Sequence, residues 1–404
     1  MPLSDQSLGF MGQTRSGRSV ALTFPQDEHE GRLRRTAEIL KSRGLAALLV
    51  FAQESHLYLT GFDTAGYVFF QCGIITADGQ AAVLLTRRPD RSQALRASLY
   101  EDVRVWYNAE DADPIRDLAR ILDELGLRGE RIGVELDTYG LTGLNWEKLR
   151  TGLQDDVVLE DGSGLIRSLR LVKSPSELAL VRQAGALADD AIRAMVDATE
   201  PGILDSAVTA AGVTAMLRGG GDMPAGGPMV NSGPRAIYGR GFGSARRLET
   251  PDQMVLELAA SYRRYNVCIE HTVTLGPVPP AQARMHALTA DALEQVIDAA
   301  RPGTPIGRLD DIHRAVLDRG GYQQARFSAC GYSLGATFRP TWMDAPPMIY
   351  SGNPLLLAPG MVLFVHIMLG DTTTGLAAGV GETFVITDGA AERLSMLRPV
   401  LYRK

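Results

Sequence analysis

Cysteine is scarce in this chain. Three are spread over 404 residues, Cys72, Cys268 and Cys330, at no metal-type spacing and in a number that cannot fully pair. That usage excludes a disulfide-stapled secreted scaffold and fits a reducing, cytoplasmic setting. No apolar run reaches the roughly 18 residues of a membrane span. Met1 to Val20 also lack the apolar core of a secretory signal. No membrane partner is therefore expected. Positive charge is not in excess, with 41 Lys and Arg against 47 Asp and Glu for a net −6. Without a basic patch interleaved with aromatics, nucleic acid is not an expected partner either. A phosphate-binding loop is missing as well: Gly219 to Pro228 is glycine-rich but lacks the strand, Lys and helix that cradle phosphates, and reads as a flexible loop.

What is there is an ordinary globular composition, 45% hydrophobic and 22% charged, in a chain long enough for two domains. The first part alternates helical and strand patterns. A helix over about Asp27 to Lys41 stops at Gly44, and the buried strand Ala46 to Phe51 follows. Cys72 to Thr76 and Ala81 to Leu85 flank Asp78-Gly79 as a hairpin, and Pro114 to Leu125 and Arg131 to Leu136 add a helix and a strand. Cys72 reads as a small core residue and His56 as a surface or interface residue. At Ser174-Pro175-Ser176-Glu177 a capping box opens a long helix. Helices at Ser176 to Thr199 and Ile203 to Arg218, a strand at Met229 to Gly233 and a loop from Pro234 to Arg247 come next. Beyond the central stretch, helices span Ala281 to Ala300 and Gly307 to Arg319; His286 and His313 on them read as surface or packing residues.

The central stretch runs from Asp252 to Gly276. It reads as a β-hairpin with its corner at Tyr262 to Tyr265. Alternation puts Glu257 on one face with Val255 and Ala259, and Cys268 on one face with Glu270. A carboxylate inside Met-Val-Leu-Glu-Leu-Ala-Ala is costly unless it is paired or functional. An ion-paired core Glu is the plain alternative.

This hairpin resembles the site-bearing hairpin of the pita-bread family, which includes the M24 peptidases and the creatinases. The run His56 to Phe62 is similar to a run of that family's N-terminal domains, and Arg170-Leu171-Val172-Lys173-Ser174 to its domain junction. The resemblance implies an α/β (α+β) chain. A smaller creatinase/prolidase-like domain over 1–168 is followed by a pita-bread catalytic domain over 169–404. It also implies a homodimer. The family's metallopeptidases carry five metal ligands. At the matching positions this chain has Glu257, Cys268, Tyr332 (within Cys330-Gly331-Tyr332), His366 (after Pro359-Gly360-Met361) and Gly381, with Glu382 one step along. All five differ. A dinuclear site needs several carboxylates to offset two divalent charges. No metal and no cofactor is therefore expected, although one Zn²⁺ on Glu257, Cys268 and His366 is chemically conceivable.

The substitutions are most similar to the metal-free ectoine hydrolase and creatinase branch. The shared features are the apolar-Glu257-apolar strand, the Arg263-Arg264-Tyr265 corner, Gly331-Tyr332, Pro340-x-Trp342 and Glu382 before Thr383. Phe338 to Asp344 departs from that branch's pattern, and Glu270 instead matches a substrate-binding Glu of creatinases. Without a Lewis acid, water is not readily ionised at neutral pH. The expected substrate is then a small molecule already cationic at its electrophilic carbon, an amidine or guanidine. Glu257, Glu270 and His366 are the candidate acid–base or nucleophilic groups, His366 with a pKa near neutrality. Cys268, Tyr332, Arg263, Arg264, Trp342 and Glu382 are the candidate substrate contacts. Arg263 and Arg264 would take a substrate carboxylate, a solvated hairpin corner being their plain alternative. The competing readings are a divergent Xaa-Pro metallopeptidase and a catalytically inactive pita-bread binding protein.

Overall fold

The structure is a computed structural model that describes residues 9–404. The leader reading and the first domain span both include residues 1–8, which lie outside the described residues. The chain forms two compact units, Met1–Arg170 and Leu171–Lys404. Among the described residues no helix is long and apolar enough to cross a membrane.

The first unit is built on a six-stranded sheet. Its order is Asp102–Trp106, Ala81–Arg87, Cys72–Thr76, Ala47–Val50, Arg131–Val134, Val158–Asp161. Cys72–Thr76 runs antiparallel to both neighbours and the other pairs are parallel. The run Ala46 to Phe51 is apolar throughout because both faces of its strand are covered. Leu49 joins one core with Ile74 and Ile132, while Leu48 and Val50 join another with Leu84 and Tyr100. The helix Pro114–Glu124 starts where the Asp113 side chain accepts from Ile115 N and Arg116 N. His56 corrects the sequence reading: it is buried in the helix Gln53–Thr60, with Nδ1 2.8 Å from the Tyr100 hydroxyl. The helix is buried on nearly every side, Glu54 alone being half-buried, so His56 has no solvent-facing position to take.

The second unit is a curved, mostly antiparallel sheet. The path is Met348–Ile349, Gly331–Ser333, Val362–Gly370, Ala377–Val385, Tyr265–Leu275, Asp252–Tyr262, Met229–Ser232. The long helices Pro175–Ala198 and Pro280–Ala299 pack on it. Alternation along each strand sorts the two faces. Leu363, Val365, Ile367 and Leu369, with Ala378, Val380 and Phe384, form one core with Leu293, Val296 and Ile297 of the second helix. Phe364, His366, Gly379 and Gly381 therefore point the other way. The capping box is present: Ser174 accepts from Glu177 N, and Glu177 from Ser174 N at 2.9 Å. Glu177 also accepts the Tyr265 hydroxyl at 2.7 Å, fastening the hairpin corner to the helix start.

Candidate active site

Strand register assembles the site. Glu257 pairs directly with Glu270, and Ala259 with Cys268, so both carboxylates and the thiol share a face. Glu270 pairs in turn with Gly381, and Gly381 with His366. Tyr332 pairs with Phe364, two residues from His366 and on its face. Glu257, Glu270, Cys268, Tyr332, His366 and Gly381 therefore converge on the face that the helices leave free. Between Met254 and Ser261 only Glu257 is not buried, and between Val362 and Leu369 only His366. Those two are the least covered residues of their strand stretches.

Each side chain is held by a nameable neighbour. Cys268 Sγ donates to Glu257 Oε1 at 3.7 Å, and the Tyr332 hydroxyl lies near enough to favour the charged form of the same carboxyl. The Tyr332 hydroxyl accepts the Trp342 indole N–H at 2.8 Å, so Trp342 acts on Glu257 through Tyr332. Glu270 lies against Gly379, where a Cβ would collide with Oε1, and its buried Oε2 has no hydrogen-bond partner. His366 stacks on the Phe364 ring with centroids 5.6 Å apart and planes 9° from parallel.

Burial and like charge set the protonation states. Burial pushes the Glu257 carboxyl up to about 7, against the Cys268 hydrogen bond, the positive charge of Arg240 and the nearby Tyr332 hydroxyl. Glu270 is raised well above the usual range by burial and then by Glu257. Burial also raises the Cys268 thiol and the Tyr332 hydroxyl, so both serve as hydrogen-bond donors at neutral pH. His366 departs from expectation: burial, then His313 and Arg240, hold it down at about 4. It is a neutral imidazole over the physiological range, because its strand gives it no carboxylate partner.

The donor set does not fit the family's two metal ions. A Cβ at Gly381 would lie 2.7 Å from the Phe364 ring, so an aromatic side chain fills the space of the fifth ligand. Tyr332 is committed to Trp342. Among the described residues the ligand atoms of Glu257, Cys268 and His366 do not all come within 4.8 Å of one another. Asp310, His313 and Cys330 do. The Asp310 oxygens there are already engaged by His313 Nδ1 at 3.1 Å, Arg314 Nε at 2.6 Å and Ser351 N at 2.9 Å. This trio is a packing network, as expected for His313.

Two groups of expected contacts lie elsewhere. Glu382 is on the opposite, helix-covered face, where Arg393 Nη1 donates to it at 2.7 Å. A shift of one residue along a strand reverses the face, and the Glu382-Thr383 motif sits one step from the site position. Arg263 and Arg264 form the hairpin turn itself, at φ 48° and 72°. Arg264 N donates to Asp222 Oδ2 at 2.7 Å, and its guanidinium lies 5.1 Å from the Phe338 ring centre. Six strand residues at about 3.3 Å each put that corner roughly 20 Å of backbone from Glu257. The plain alternative, a hairpin corner, is what the structure holds.

Two site residues escaped the sequence reading. Phe364 fills the place of a ligand, and Arg240 is the cation whose charge reaches both Glu257 and His366. The visible signal for Arg240 was its setting, Tyr238-Gly239-Arg240-Gly241-Phe242, in the loop just before the hairpin.

Comparison with known proteins agrees with this fold. Over 392 residues the chain is 25% identical to the ectoine hydrolase of Halomonas elongata, covering 93% of this chain and 97% of that protein. It is 23% identical over 364 residues to the Xaa-Pro dipeptidase of Pyrococcus furiosus, covering 90% and 97%. The solved prolidase of Thermococcus sibiricus superposes with a TM-score of 0.83 at 19% identity, over 93% of this chain and 99% of that one, which shows the shared fold. Residues 32–172 match the Creatinase/Prolidase N-terminal domain. Residues 179–388 match Metallopeptidase family M24, and the chain is a hydrolase-family member of that group, with a creatinase-type domain ahead of a pita-bread catalytic domain.

Proposed function

We propose that the protein hydrolyses a C–N bond of a small amidine- or guanidine-like metabolite without using a metal. The observation that carries this reading is the directly opposed pair Glu257 and Glu270, both raised by burial, with an unsatisfied oxygen on Glu270. Two such carboxyls are uncomfortable in the free protein and well matched to a planar cation. Entry of an amidinium ionises them and pairs with both. The positive charge makes the central carbon electrophilic.

Glu257, directly or through a water it deprotonates, supplies the nucleophile. In the water route the oxygen forms the new C–O bond, and Glu257 takes one water proton and returns it to the departing nitrogen. The C–N bond breaks, and as the carbonyl forms the hydroxyl proton passes, through Glu257, to the released amine, which leaves as ammonium. An amidinium and water become an amide and an ammonium, so charge is conserved. Neutral His366 supports this by offering a lone pair rather than a competing charge. Likeness to an ectoine hydrolase over most of both chains supports the substrate class, ectoine being a cyclic amidine.

The test is turnover of a panel of amidines and guanidines, including ectoine and creatine, with chelator present and products read by mass spectrometry. Hydrolysis of a panel member is the expected outcome. Cleavage of an Xaa-Pro dipeptide that requires added Mn²⁺ would overturn the proposal in favour of a peptidase. Binding of panel members without turnover would overturn it in favour of a binding protein.

A further inference from the structure

With Arg263 and Arg264 at the hairpin turn, another group must meet any anionic end of the substrate. The loop after Met229–Ser232 supplies one. Asn231 pairs directly with Val255, two residues from Glu257 and on the same face. Its Nδ2 donates to Tyr238 O at 2.9 Å. Its Oδ1 lies so close to Gly241 that a Cβ there would collide with it. Asn231 thus holds the loop by its bond to Tyr238, and its unbonded Oδ1 packs against Gly241 on the other side of Arg240. The grip needs glycine at 241 and is reinforced by Gly239 against the Phe327 ring, 3.2 Å from a built Cβ. The loop's far end is fixed by Ser244 N donating to Asp205 Oδ1 at 2.6 Å.

The side chain held this way is exposed and makes no hydrogen bond or ion pair with the described residues. Nearby arginines are engaged. Arg246 bonds Asp252 Oδ2 at 2.6 Å, and Arg235 donates to Phe242 O. The charge of Arg240 acts on both Glu257 and His366, the least covered residues of the two strand stretches that carry them.

We propose that Arg240 is the specificity-determining residue that binds a carboxylate on the substrate, which makes the preferred substrate a zwitterion: an amidinium or guanidinium at Glu257 and Glu270, and a carboxylate a few bonds away at Arg240. The inference rests on the cation-binding reading of the two glutamates. It adds that the site is bipolar. A guanidinium suits the task, since its fork matches a carboxylate in two parallel hydrogen bonds. A substrate bearing only the cation loses this contact, and a dipeptide, although it carries a carboxylate, brings no amidinium or guanidinium to the two glutamates.

Calorimetric titration separates the parts. The probes are ectoine and the same ring without its carboxylate. The proteins are the wild type, Arg240→Gln, Arg240→Lys and Glu257→Gln, each checked for wild-type circular dichroism. The wild type should bind ectoine roughly ten- to hundredfold more tightly than the decarboxylated ring, the range of a charge-assisted hydrogen-bond pair. Arg240→Gln should erase that preference while leaving affinity for the decarboxylated ring unchanged or improved. Arg240→Lys should keep part of it. If Arg240→Gln retains the full preference while Glu257→Gln loses both probes, the role given to Arg240 is wrong and the cation site stands. If neither probe binds the wild type, the cation-site reading falls and this inference with it.

Discussion

Replacing Glu257 by Gln tests the site through two independent readouts. The carboxyl is carried from an ordinary 4.5 to about 7 by burial, which disfavours its ionised form in the fold by on the order of 3 kcal/mol. The unfolded chain releases this proton near 4.5 and the folded chain near 7. Wild-type stability should then fall as pH rises through that window and level off above it. Gln carries no such proton. Glu270, raised partly by the charge of Glu257, relaxes in the same variant. Relative to their difference at pH 4, the variant should gain up to roughly 3 kcal/mol over wild type at pH 8, measured by urea unfolding. The amide oxygen still accepts from Cys268, so that partner is not stranded. Catalysis should move the other way. Turnover should drop by about a hundredfold or more, as for a lost general base. The wild-type rise of kcat/KM with an inflection near 7 should vanish with it. A folded variant with wild-type turnover would refute the assignment. So would an unfolding midpoint that runs parallel to wild type from pH 4 to pH 8.

Four further outcomes follow from the same geometry. Glu270→Gln should raise KM about tenfold or more with a smaller effect on kcat, the loss of a charged contact; an equal fall in kcat alone would contradict a binding role. The purified protein should carry no stoichiometric Zn, Mn or Fe, and chelators should leave turnover unchanged; elemental analysis giving one ion per chain, with activity lost on chelation, would contradict the donor-set argument. Arg263→Gly should leave kcat/KM within about twofold and the melting point unchanged or higher, because glycine adopts the turn's positive φ without strain. Light scattering should return a dimer of the 43.6 kDa chain, through the first unit, where Val68 and Phe69 are exposed; a monomer at micromolar concentration would refute this.

The hairpin, both unit types and the capping box were legible because each is written in local periodicity or in fixed offsets. Glu257, Cys268 and Glu270 followed from alternation along two neighbouring strands. What sequence could not give was parity across strands that are distant in the chain. Glu382 and Gly381 are adjacent letters on opposite faces, and only the pairing of Gly381 with His366 and Glu270 decides which one meets the substrate. Two adjacent arginines in sequence read as charge for a substrate carboxylate; the structure makes them the hairpin turn, with the Arg264 backbone held by Asp222, Thr337 and Asn266. Arg240 was hidden for the opposite reason. Its placement comes from an amide on a neighbouring strand, a contact with no sequence period. The low pKa of His366 likewise depends on what surrounds the ring rather than on the strand that carries it.

The bond from the Tyr265 hydroxyl to Glu177 makes one carboxylate serve two elements 88 residues apart. Its other oxygen closes the N-terminus of the Pro175–Ala198 helix. A hairpin misaligned by one residue would move Tyr265 off that oxygen. The same slip would turn Glu257 away from Glu270. The contact thus penalises the wrong alignment by about the 1.5–3 kcal/mol of a hydrogen bond to a charged group. The helix start is assembled from neighbours in sequence and can form early. It then serves as a gauge against which the later, longer-range pairing is checked, so that chains with the two glutamates misplaced are also chains with a loosened helix, exposed to unfolding and proteolysis.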